Sequence, residues 1–215
     1  MAKFERKVLI VEDEQLLRTL IADVLVAEGF VVQTAGTAAE ARKVADDFDP
    51  DVALLDIELG DGPNGIDLAG IFRKKSPEIG LVFLSHIPEP RVVGIDNRAI
   101  PKNAAYLVKE RIGESGVLRA AIEAALRDRV NREFRDDKKP HALSSVSRSQ
   151  LDVLKLVALG KSNAEIAEAR GTTVRAVENL VKRALDAAGI SGSEGNARVL
   201  AAREFIKVAG LPHSR

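Results

Sequence analysis

The sequence predicts a doubly wound α/β domain with a five-stranded parallel sheet, followed by a small all-α domain. Short apolar runs alternate with amphipathic stretches five times in the first part of the chain, which is typical of a parallel sheet with helices on both faces. The last part has only helical periodicity. A charged stretch that contains Lys-Lys-Pro separates the two. We therefore predict domains at 1–129 and 144–215, joined by a linker at 130–143.

The predicted strands and helices of the first domain alternate regularly. The strands are predicted at Lys7–Val11, Phe30–Gln33, Val52–Asp56, Leu81–Ser85 and Ala105–Val108. The helices are predicted at Gln15–Glu28, from the Thr37/Glu40 capping box to about Phe48, at Ile66–Lys75 and at Ser115–Arg129. The stretch between Ser85 and Tyr106 contains three prolines and little helical period. We expect any helix there to be short or irregular.

The second domain has the pattern of a helix-turn-helix. Capping boxes at Ser147/Gln150 and Ser162/Glu165 each begin a helix. The second of these helices is short and is stopped by Gly171, and a longer amphipathic helix follows over Val174–Ala188. A final helix is predicted over Asn196–Ala209.

Composition excludes several classes of protein. The 215 residues include no cysteine, which excludes disulfides and thiolate metal sites. Aromatic residues make up 4% and tryptophan is absent, which argues against stacking platforms for single-stranded nucleic acid. No apolar run approaches the length of a membrane helix, and the N-terminus lacks a secretory signal, so we expect a cytoplasmic protein. Residues 1–130 carry 17 basic and 22 acidic side chains, whereas 131–215 carry 15 and 10, which mildly favours an anionic partner for the second domain.

Five chemically active side chains fall at the carboxyl ends of the predicted strands. In open parallel sheets, ligands bind at this edge. The five are Glu12, Asp13, Asp56, Ser85 and Lys109. All-oxygen ligands without His or Cys suit Mg²⁺, and a metal together with a lysine ammonium would neutralise an incoming phosphoryl group. Asp56 would then be the nucleophile and form an aspartyl-phosphate.

A simpler interpretation exists for some of these residues. Acidic residues often precede helices, because the helix dipole favours negative charge at that end. Taken alone, Glu12 and Asp13 fit that explanation at least as well as they fit a metal site. The coincidence of all five groups at strand ends favours the site.

Residues 5–130 resemble the receiver domain of bacterial two-component response regulators, a flavodoxin-like fold. The similarity lies in VLIVEDE, ALLDIELGDGPNGIDL, VFLS and AAYLVK. The resemblance implies that a sensor histidine kinase phosphorylates Asp56. It also implies that Mg²⁺ is held by Glu12, Asp13, Asp56 and the backbone carbonyl of Glu58. Ser85 and Lys109 would contact the phosphoryl group, and Tyr106 would act as a switch that moves inward with Ser85.

Residues 144–211 resemble the helix-turn-helix domain of the LuxR/FixJ/NarL class, through LDVLKLVALGKSNAEIAEARGTTVRAVENLVKRAL. In the helix over Val174–Ala188, a polar face is formed by Arg175, Glu178, Asn179, Lys182 and Arg183. An amphipathic helix is usually a solvated face over a core, but the preceding short helix and Gly turn favour a recognition helix in the major groove of DNA. Asn179 could pair with adenine and Lys182 with guanine or phosphate, while Glu178 could accept from cytosine. The final helix resembles the dimerising helix of this class, so we expect a homodimer on duplex promoter DNA.

Together these features predict a transcription factor controlled by phosphorylation, not an enzyme, with no membrane partner. One alternative is an enzyme of the haloacid-dehalogenase type, which also uses an Asp nucleophile with Mg²⁺. That class places a second Asp two residues after the nucleophile, in the first strand, whereas here Glu58 occupies that position and Asp56 ends the third strand. A further alternative is an atypical receiver with weak or no phosphorylation. In the last alternative, the output domain binds RNA or protein.

Overall fold

The computed structural model describes residues 5–60, 62–96, 98–190 and 196–210. Contacts divide the chain into two compact units. The first unit comprises the described residues of Met1–His86 and Arg98–Lys138, and the second comprises those of Ile87–Asn97 and Lys139–Arg215. The predicted domain limits at 1–129, 130–143 and 144–215 stay a prediction. No helix among the described residues is long and apolar enough to cross a membrane.

The first unit is built on a five-stranded, wholly parallel sheet. The strands are β1 (Lys7–Val11), β2 (Val31–Ala35), β3 (Val52–Asp56), β4 (Gly80–Ser85) and β5 (Ala105–Val108). Their order in the sheet is β2-β1-β3-β4-β5. The two central strands β3 and β4 are buried along their whole length, because helices cover both faces of the sheet. The predicted α/β fold is confirmed.

Four helices pack on this sheet: α1 (Gln15–Ala27), α2 (Ala38–Phe48), α3 (Gly65–Lys75) and α4 (Val117–Leu126). α4 is shorter than predicted. It begins after Gly116, whose φ is +75°, and Asp128 beyond its end has a φ of +53°. A residue in the left-handed region ends α-helical hydrogen bonding, so α4 does not continue into the charged tail after Leu126.

Helix α1 buries only part of its apolar face. Ile21 and Leu25 are fully buried, whereas Leu16, Leu20 and Val24 are 67%, 53% and 45% exposed. Because a helix lying on a sheet contacts it along one stripe, the wide apolar face of α1 extends beyond the area that the sheet can cover.

The stretch between β4 and β5 contains a single short 3-10 turn, Pro90–Val93, and no α-helix among its described residues. This confirms the expectation of a short or irregular element. Proline at the start of this turn and Gly94 at its end, with a φ of +84°, limit it to four residues.

The charged segment after α4 packs on the edge strand β5. It forms 3-10 turns at Arg132–Phe134 and Asp136–Lys138, and a third 3-10 turn, Lys109–Gly113, follows β5. Asp136 Oδ2 accepts a hydrogen bond from the backbone N–H of Val108 at 2.9 Å. Its Oδ1 lies 2.8 Å from Arg111 Nη1, and both Asp136 and Phe134 are buried. These contacts satisfy polar groups at the open edge of the sheet.

Among its described residues, the second unit contains four α-helices: α5 (Arg148–Ala158), α6 (Asn163–Ala169), α7 (Val174–Ala187) and α8 (Ala197–Ala209). Both predicted capping boxes are present, at Ser147/Gln150 and Ser162/Glu165. The apolar core of this unit includes Phe205 from α8. It also includes Ile87 and Val92, which precede the helices in sequence by more than fifty residues.

Candidate functional site

The carboxyl edge of the sheet gathers three carboxylates. Glu12 directly follows β1 and Asp56 ends β3, and the pairing of Val11 with Leu55 places these two acids side by side. Oxygen atoms of Glu12, Asp13 and Asp56 all lie within 4.8 Å of one another. Glu12 and Asp56 are 0% and 3% exposed, whereas Asp13 is exposed. The register of a parallel sheet therefore produces the cluster that the sequence predicted.

Lys109 lies between the two buried carboxylates. Its Nζ is 2.9 Å from Asp56 Oδ2 and donates to Glu12 Oε1 at 2.9 Å. Lys109 directly follows β5, and it is 8% exposed. A buried ammonium that donates to two buried carboxylates balances part of their charge, and this makes the close approach of the acids possible.

The pKa values of this cluster are displaced from their usual range. Burial raises the pKa of Glu12 to about 7, with a further increase from the charge of Asp56, while the hydrogen bond from Lys109 opposes the shift. Burial also acts to lower the pKa of Lys109. The attraction of Asp56 and the hydrogen bonds to Glu12 and Asp56 outweigh burial, so this pKa is raised above its ordinary value. Near neutral pH, Glu12 is therefore poised between its two protonation states.

The remaining predicted residues of this site lie close by in the fold. Ser85 ends β4 and is 2% exposed, and it pairs in register with Val108, the residue before Lys109. The backbone N–H of Glu58 donates to Asp56 Oδ1 at 3.1 Å, while the Glu58 side chain is exposed. Tyr106, within β5, is fully buried.

Two residues that support the site were not singled out from the sequence. Arg18, on α1, donates to the backbone carbonyl of Glu12 at 2.5 Å and so holds the acidic turn after β1. Gly65 begins α3, and a Cβ on it would lie 2.1 Å from the backbone oxygen of Asp56. The turn after Asp56 can pass this close only because residue 65 has no side chain. Its place in the Asn-Gly pair at the end of the turn was the available signal.

The chemistry of these donors fits a hard divalent cation. The three acids supply only oxygen ligands, and one of them, Asp13, remains open to solvent. Glu12 Oε2 is buried and has no hydrogen bond of suitable geometry, although it lies 2.8 Å from Lys109 Nζ. Mg²⁺ is typically bound by one or two carboxylates together with water, so the residues present fit this ion.

The second unit contains the predicted helix-turn-helix. α6 and α7 are joined by four residues that include Gly171, with a φ of +58°. Thr173 caps α7 by accepting a hydrogen bond from the N–H of Ala176. Arg170 donates to Ser149 Oγ at 2.8 Å, which fixes the turn to α5.

The five predicted DNA-contact residues all belong to α7 and are all exposed: Arg175, Glu178, Asn179, Lys182 and Arg183. The opposite face of α7 is buried through Val177, Val181, Ala184 and Leu185. Val174, in the first turn of α7, is 43% exposed. α7 therefore presents one continuous polar face to solvent.

α8 contributes differently from the expectation for a dimerising helix. Phe205 is 1% exposed and packs in the core of its own unit, mainly because α8 lies along α5. Val199 is 62% exposed, and Ile206 is partly exposed. The exposed Val199 leaves the face of α8 that carries it open to a second copy.

Comparison with known proteins is consistent with both units. Residues 8–99 match the response regulator receiver domain. Response regulator protein VraR of Staphylococcus aureus is 26% identical over 192 residues, which cover 83% of this chain and 88% of the relative. VraR of Staphylococcus epidermidis shows the same identity and coverage.

Solved structures of RcsB share the fold over nearly the whole chain. A structure of an RcsB–DNA complex has a TM-score of 0.59 at 17% identity and covers 95% of this chain and 99% of that one. RcsB of Salmonella enterica serovar Typhimurium, bound to promoter rprA with the phosphomimetic BeF3-, has a TM-score of 0.56 at 16% identity, with coverages of 95% and 100%. Residues 8–99 thus match the receiver domain of response regulators, the chain is similar to a response regulator protein over most of its length, and it shares the fold of RcsB.

Proposed function

We propose that this protein is a DNA-binding response regulator of a two-component system, in which phosphorylation of Asp56 controls transcription. The observation that carries the proposal is the buried contact of Lys109 with both Glu12 and Asp56, beside the exposed Asp13. That arrangement offers one nucleophilic carboxylate, one fixed cation and two further acids at the open edge of the sheet. Phosphoryl transfer requires little more than such positioning and charge.

Asp56 is the phosphoacceptor in this proposal. A carboxylate oxygen of Asp56 forms the new bond to phosphorus, while the bond between phosphorus and the imidazole nitrogen of the kinase's phosphohistidine breaks, and the histidine leaves. The backbone N–H of Glu58 and the ammonium of Lys109 already donate to the two oxygens of Asp56, and this orients the carboxylate. Ser85 lies on the neighbouring strand and is suited to donate to a phosphoryl oxygen.

Mg²⁺ belongs to the same proposal. Glu12, Asp13, Asp56 and the backbone carbonyl of Glu58 would hold it, and the ion would offset the negative charge of the phosphoryl group. The close approach of oxygen atoms from Glu12, Asp13 and Asp56, all within 4.8 Å of one another, supports this assignment. Lys109 Nζ contacts both Glu12 and Asp56.

The switch would act through Ser85 and Tyr106. Tyr106 is fully buried, the inward arrangement that the family resemblance associates with a moved Ser85. A local change of charge at Asp56 can shift the equilibrium between two positions of Ser85 and Tyr106. A sensor histidine kinase is the partner that this chemistry requires.

In this proposal α7 binds duplex promoter DNA, and this binding is the output of the protein. Arg175, Lys182 and Arg183 supply positive charge on the exposed face, and Asn179 supplies an amide that can pair with adenine. The RcsB structures with the same fold include DNA complexes, one of them with two RcsB dimers on two parallel DNAs. A homodimer that reads paired half-sites in the cytoplasm completes the proposal.

A receiver that works with weak or no phosphorylation is the second candidate. It is favoured by the connection between β4 and β5, where a 3-10 turn of four residues, Pro90–Val93, lies in place of the helix that usually forms the signalling face of receivers. In that case DNA binding would not depend on Asp56.

The first experiment is modification of Asp56. Acetyl phosphate with Mg²⁺ should add one phosphoryl group to the full-length protein, observed by mass spectrometry, and Asp56→Asn should abolish the addition. Asp23→Asn, which changes an exposed acid on α1, is the control and should label like the unchanged protein. Full labelling of Asp56→Asn would contradict the site. Labelling without any change in DNA binding would favour the second candidate.

The second experiment tests α7. Lys182→Ala should weaken binding to a selected duplex by about 1–3 kcal/mol if the side chain contacts a base, with relaxed preference at one position. If it contacts a phosphate, the salt slope should fall by about one. Lys155→Ala, an exposed lysine on α5, is the control. Unchanged affinity at every salt concentration would contradict the assignment of Lys182.

A further inference from the structure

The segment between β4 and β5 is packed into the core of the second unit. Ile87 and Val92 are 7% and 6% exposed and lie in the same apolar cluster as Leu143 and Val146, together with the buried faces of α5 to α8. The segment Pro90–Val93 also contacts α5 directly. The second unit therefore consists of two pieces of chain, separated by the whole of β5, α4 and the 3-10 turns that follow.

Hydrogen bonds from Arg91, which is paired with the buried Glu89, join the two pieces. Arg91 donates to both carboxylate oxygens of Glu89, from Nε at 2.7 Å and from Nη2 at 2.6 Å. Its Nη1 donates to the backbone carbonyl of Val146 at 2.7 Å, and Nη2 also reaches the carbonyl of Leu143 at 3.0 Å. Arg91 thus holds the turn that leads into α5, and Glu89, at 3% exposed, holds Arg91.

His141 completes this cluster from the second piece. Its Nε2 lies 3.4 Å from Glu89 Oε2, and its Nδ1 accepts a hydrogen bond from the N–H of Leu143. Burial lowers the pKa of His141 despite the nearby Glu89 carboxylate. The neutral ring with its proton on Nε2 therefore fits both contacts.

This arrangement differs from a loop that only rests on a surface. An ion pair taken out of water is tolerated only where further hydrogen bonds satisfy it, and here backbone carbonyls provide them. The apolar residues on either side of Arg91 fill the same core that supports the helix-turn-helix. Removing the segment would expose that core and leave the turn before α5 without its cation.

The link from this segment back to the phosphorylation site is short. Ser85 is the last residue of β4, and only His86 separates it from Ile87. Two residues of fully extended chain span at most about 7 Å, so such a link has little slack. A displacement of the end of β4 must therefore be absorbed by one residue or reach Ile87.

We propose that residues 87–96 are a structural part of the DNA-binding unit, and that their attachment to Ser85 through His86 is the route by which the state of Asp56 reaches that unit. The first half of this inference is independent of the proposed function, whereas the second half rests on it. A receiver of this kind transmits its state through a segment that it shares with the output unit.

The structural half is tested by hydrogen exchange on the full-length protein. Arg91→Ala should speed the exchange of amides in Leu143–Leu154 by about tenfold or more, because a buried carboxylate loses its partner and the turn before α5 is released. β1 and β3 should be unaffected. Arg111→Ala is the matched control, since it removes the arginine partner of buried Asp136 and should speed exchange only near β5.

Val92→Ala gives a milder form of the same test if Arg91→Ala fails to fold. It removes two buried methyl groups from the segment and should speed exchange in α5 but not in β1 or β3. If neither variant alters exchange in α5, residues 87–96 are not part of that unit and the inference is wrong.

The coupling half is tested by an insertion. Beryllofluoride with Mg²⁺ should change exchange in 87–96 and in α5 of the unchanged protein. Insertion of Gly-Ser-Gly between His86 and Ile87 should leave the bound beryllofluoride signal in ¹⁹F NMR spectra but abolish the change in α5, because a flexible linker takes up the displacement. The same insertion between Pro77 and Glu78, in the exposed turn before β4, is the control and should preserve the change.

The outcomes separate this inference from the proposed function. If beryllofluoride binds and α5 responds equally with the insertion after His86, the short link is not the route. If it binds without any response in α5 of the unchanged protein, coupling is absent and that half is wrong. If no beryllofluoride binds, the phosphoacceptor site and the coupling half fail together, while the result with Arg91→Ala still decides the structural half.

Discussion

Lys109 Nζ lies 2.9 Å from Asp56 Oδ2, and both side chains are almost completely buried at the carboxyl edge of the sheet. The same ammonium contacts Glu12, so one cation balances two acids. This relationship makes the cluster sensitive to the loss of any member.

The first prediction concerns the loss of Lys109. Lys109→Met should destabilise the first unit by about 3–5 kcal/mol without metal, since two buried carboxylates lose their partner. Protonation of Glu12 reduces this cost at low pH, and Mg²⁺ should recover part of it. Chemical denaturation with and without Mg²⁺ measures both effects. Lys43→Met, at an exposed lysine on α2, should change stability by less than about 0.5 kcal/mol. An equally small loss for Lys109→Met would refute the structural role of the pair.

The second prediction concerns pH. The pKa of Glu12 in the folded protein is about 7, raised from the ordinary 4.5, so its contribution to metal-free stability is fully present below about 4.5 and is lost as pH rises through about 7. Mg²⁺ requires the ionised form, so its apparent affinity should fall about tenfold for each pH unit below 7. Titration calorimetry from pH 5.5 to 8 measures this. Glu12→Gln should bind more weakly and flatten the pH profile, and an unchanged slope in this variant would exclude Glu12 as its source.

The third prediction concerns Gly65. Gly65→Ala should destabilise the first unit by about 1–3 kcal/mol and reduce acetyl phosphate labelling, because the new Cβ would meet the backbone oxygen of Asp56 at 2.1 Å. Gly70→Ala in the same helix is the control. A Cβ at Gly70 meets no atom within 4 Å, so this change should be neutral or stabilising. Equal behaviour of the two variants in thermal unfolding and labelling would show that the close approach does not position Asp56.

The fourth prediction concerns the surface of α8. Val199→Asp should weaken binding to a duplex with two half-sites by about tenfold or more and leave binding to one half-site within about threefold, because it disrupts only association of two copies. Val26→Asp, at an exposed valine on α1, is the control for added charge. Mobility-shift titrations on both duplexes measure the effect. Unchanged cooperative binding by Val199→Asp would place the dimer contact elsewhere. Removal of all of α8 is a poorer test, because Phe205 belongs to the unit's own core.

The sheet and the carboxylate cluster were predictable because they follow from local patterns and one geometric rule. Apolar runs identified each strand, and parallel strands bring their carboxyl ends to one edge. The contacts of Glu12, Asp56 and Lys109 could therefore be predicted although these residues are far apart in the sequence. The helix caps at Thr37, Ser147 and Ser162 were equally local, since each involves residues three apart. The predicted box at Thr37 forms only in part, because Glu40 Oε2 accepts from the N–H of Gly36 and not from that of Thr37.

Long-range partners of charged residues were not predictable in the same way. A run of charges after α4 suggested a solvated linker, yet Asp136 is buried against Arg111 and the backbone of Val108. The apolar residues Ile87 and Val92 indicated burial but not which core would receive them. Helix α1 shows the opposite difficulty, because two of its leucines look like core residues in the sequence but are exposed. Periodicity identifies the apolar face of a helix, but not how much of that face the rest of the protein covers.

The interleaving of the two units along the chain has a consequence for recombination. A chimera made by joining this helix-turn-helix to a foreign receiver at a single cut would leave behind Ile87, Glu89 and Arg91, and with them part of the core and a counter-charge for the turn before α5. The foreign receiver would also bring its own connection between β4 and β5, which the graft has no means to accommodate. Exchange of such modules in evolution or by engineering thus requires two matched crossovers. The two units are therefore expected to be inherited together.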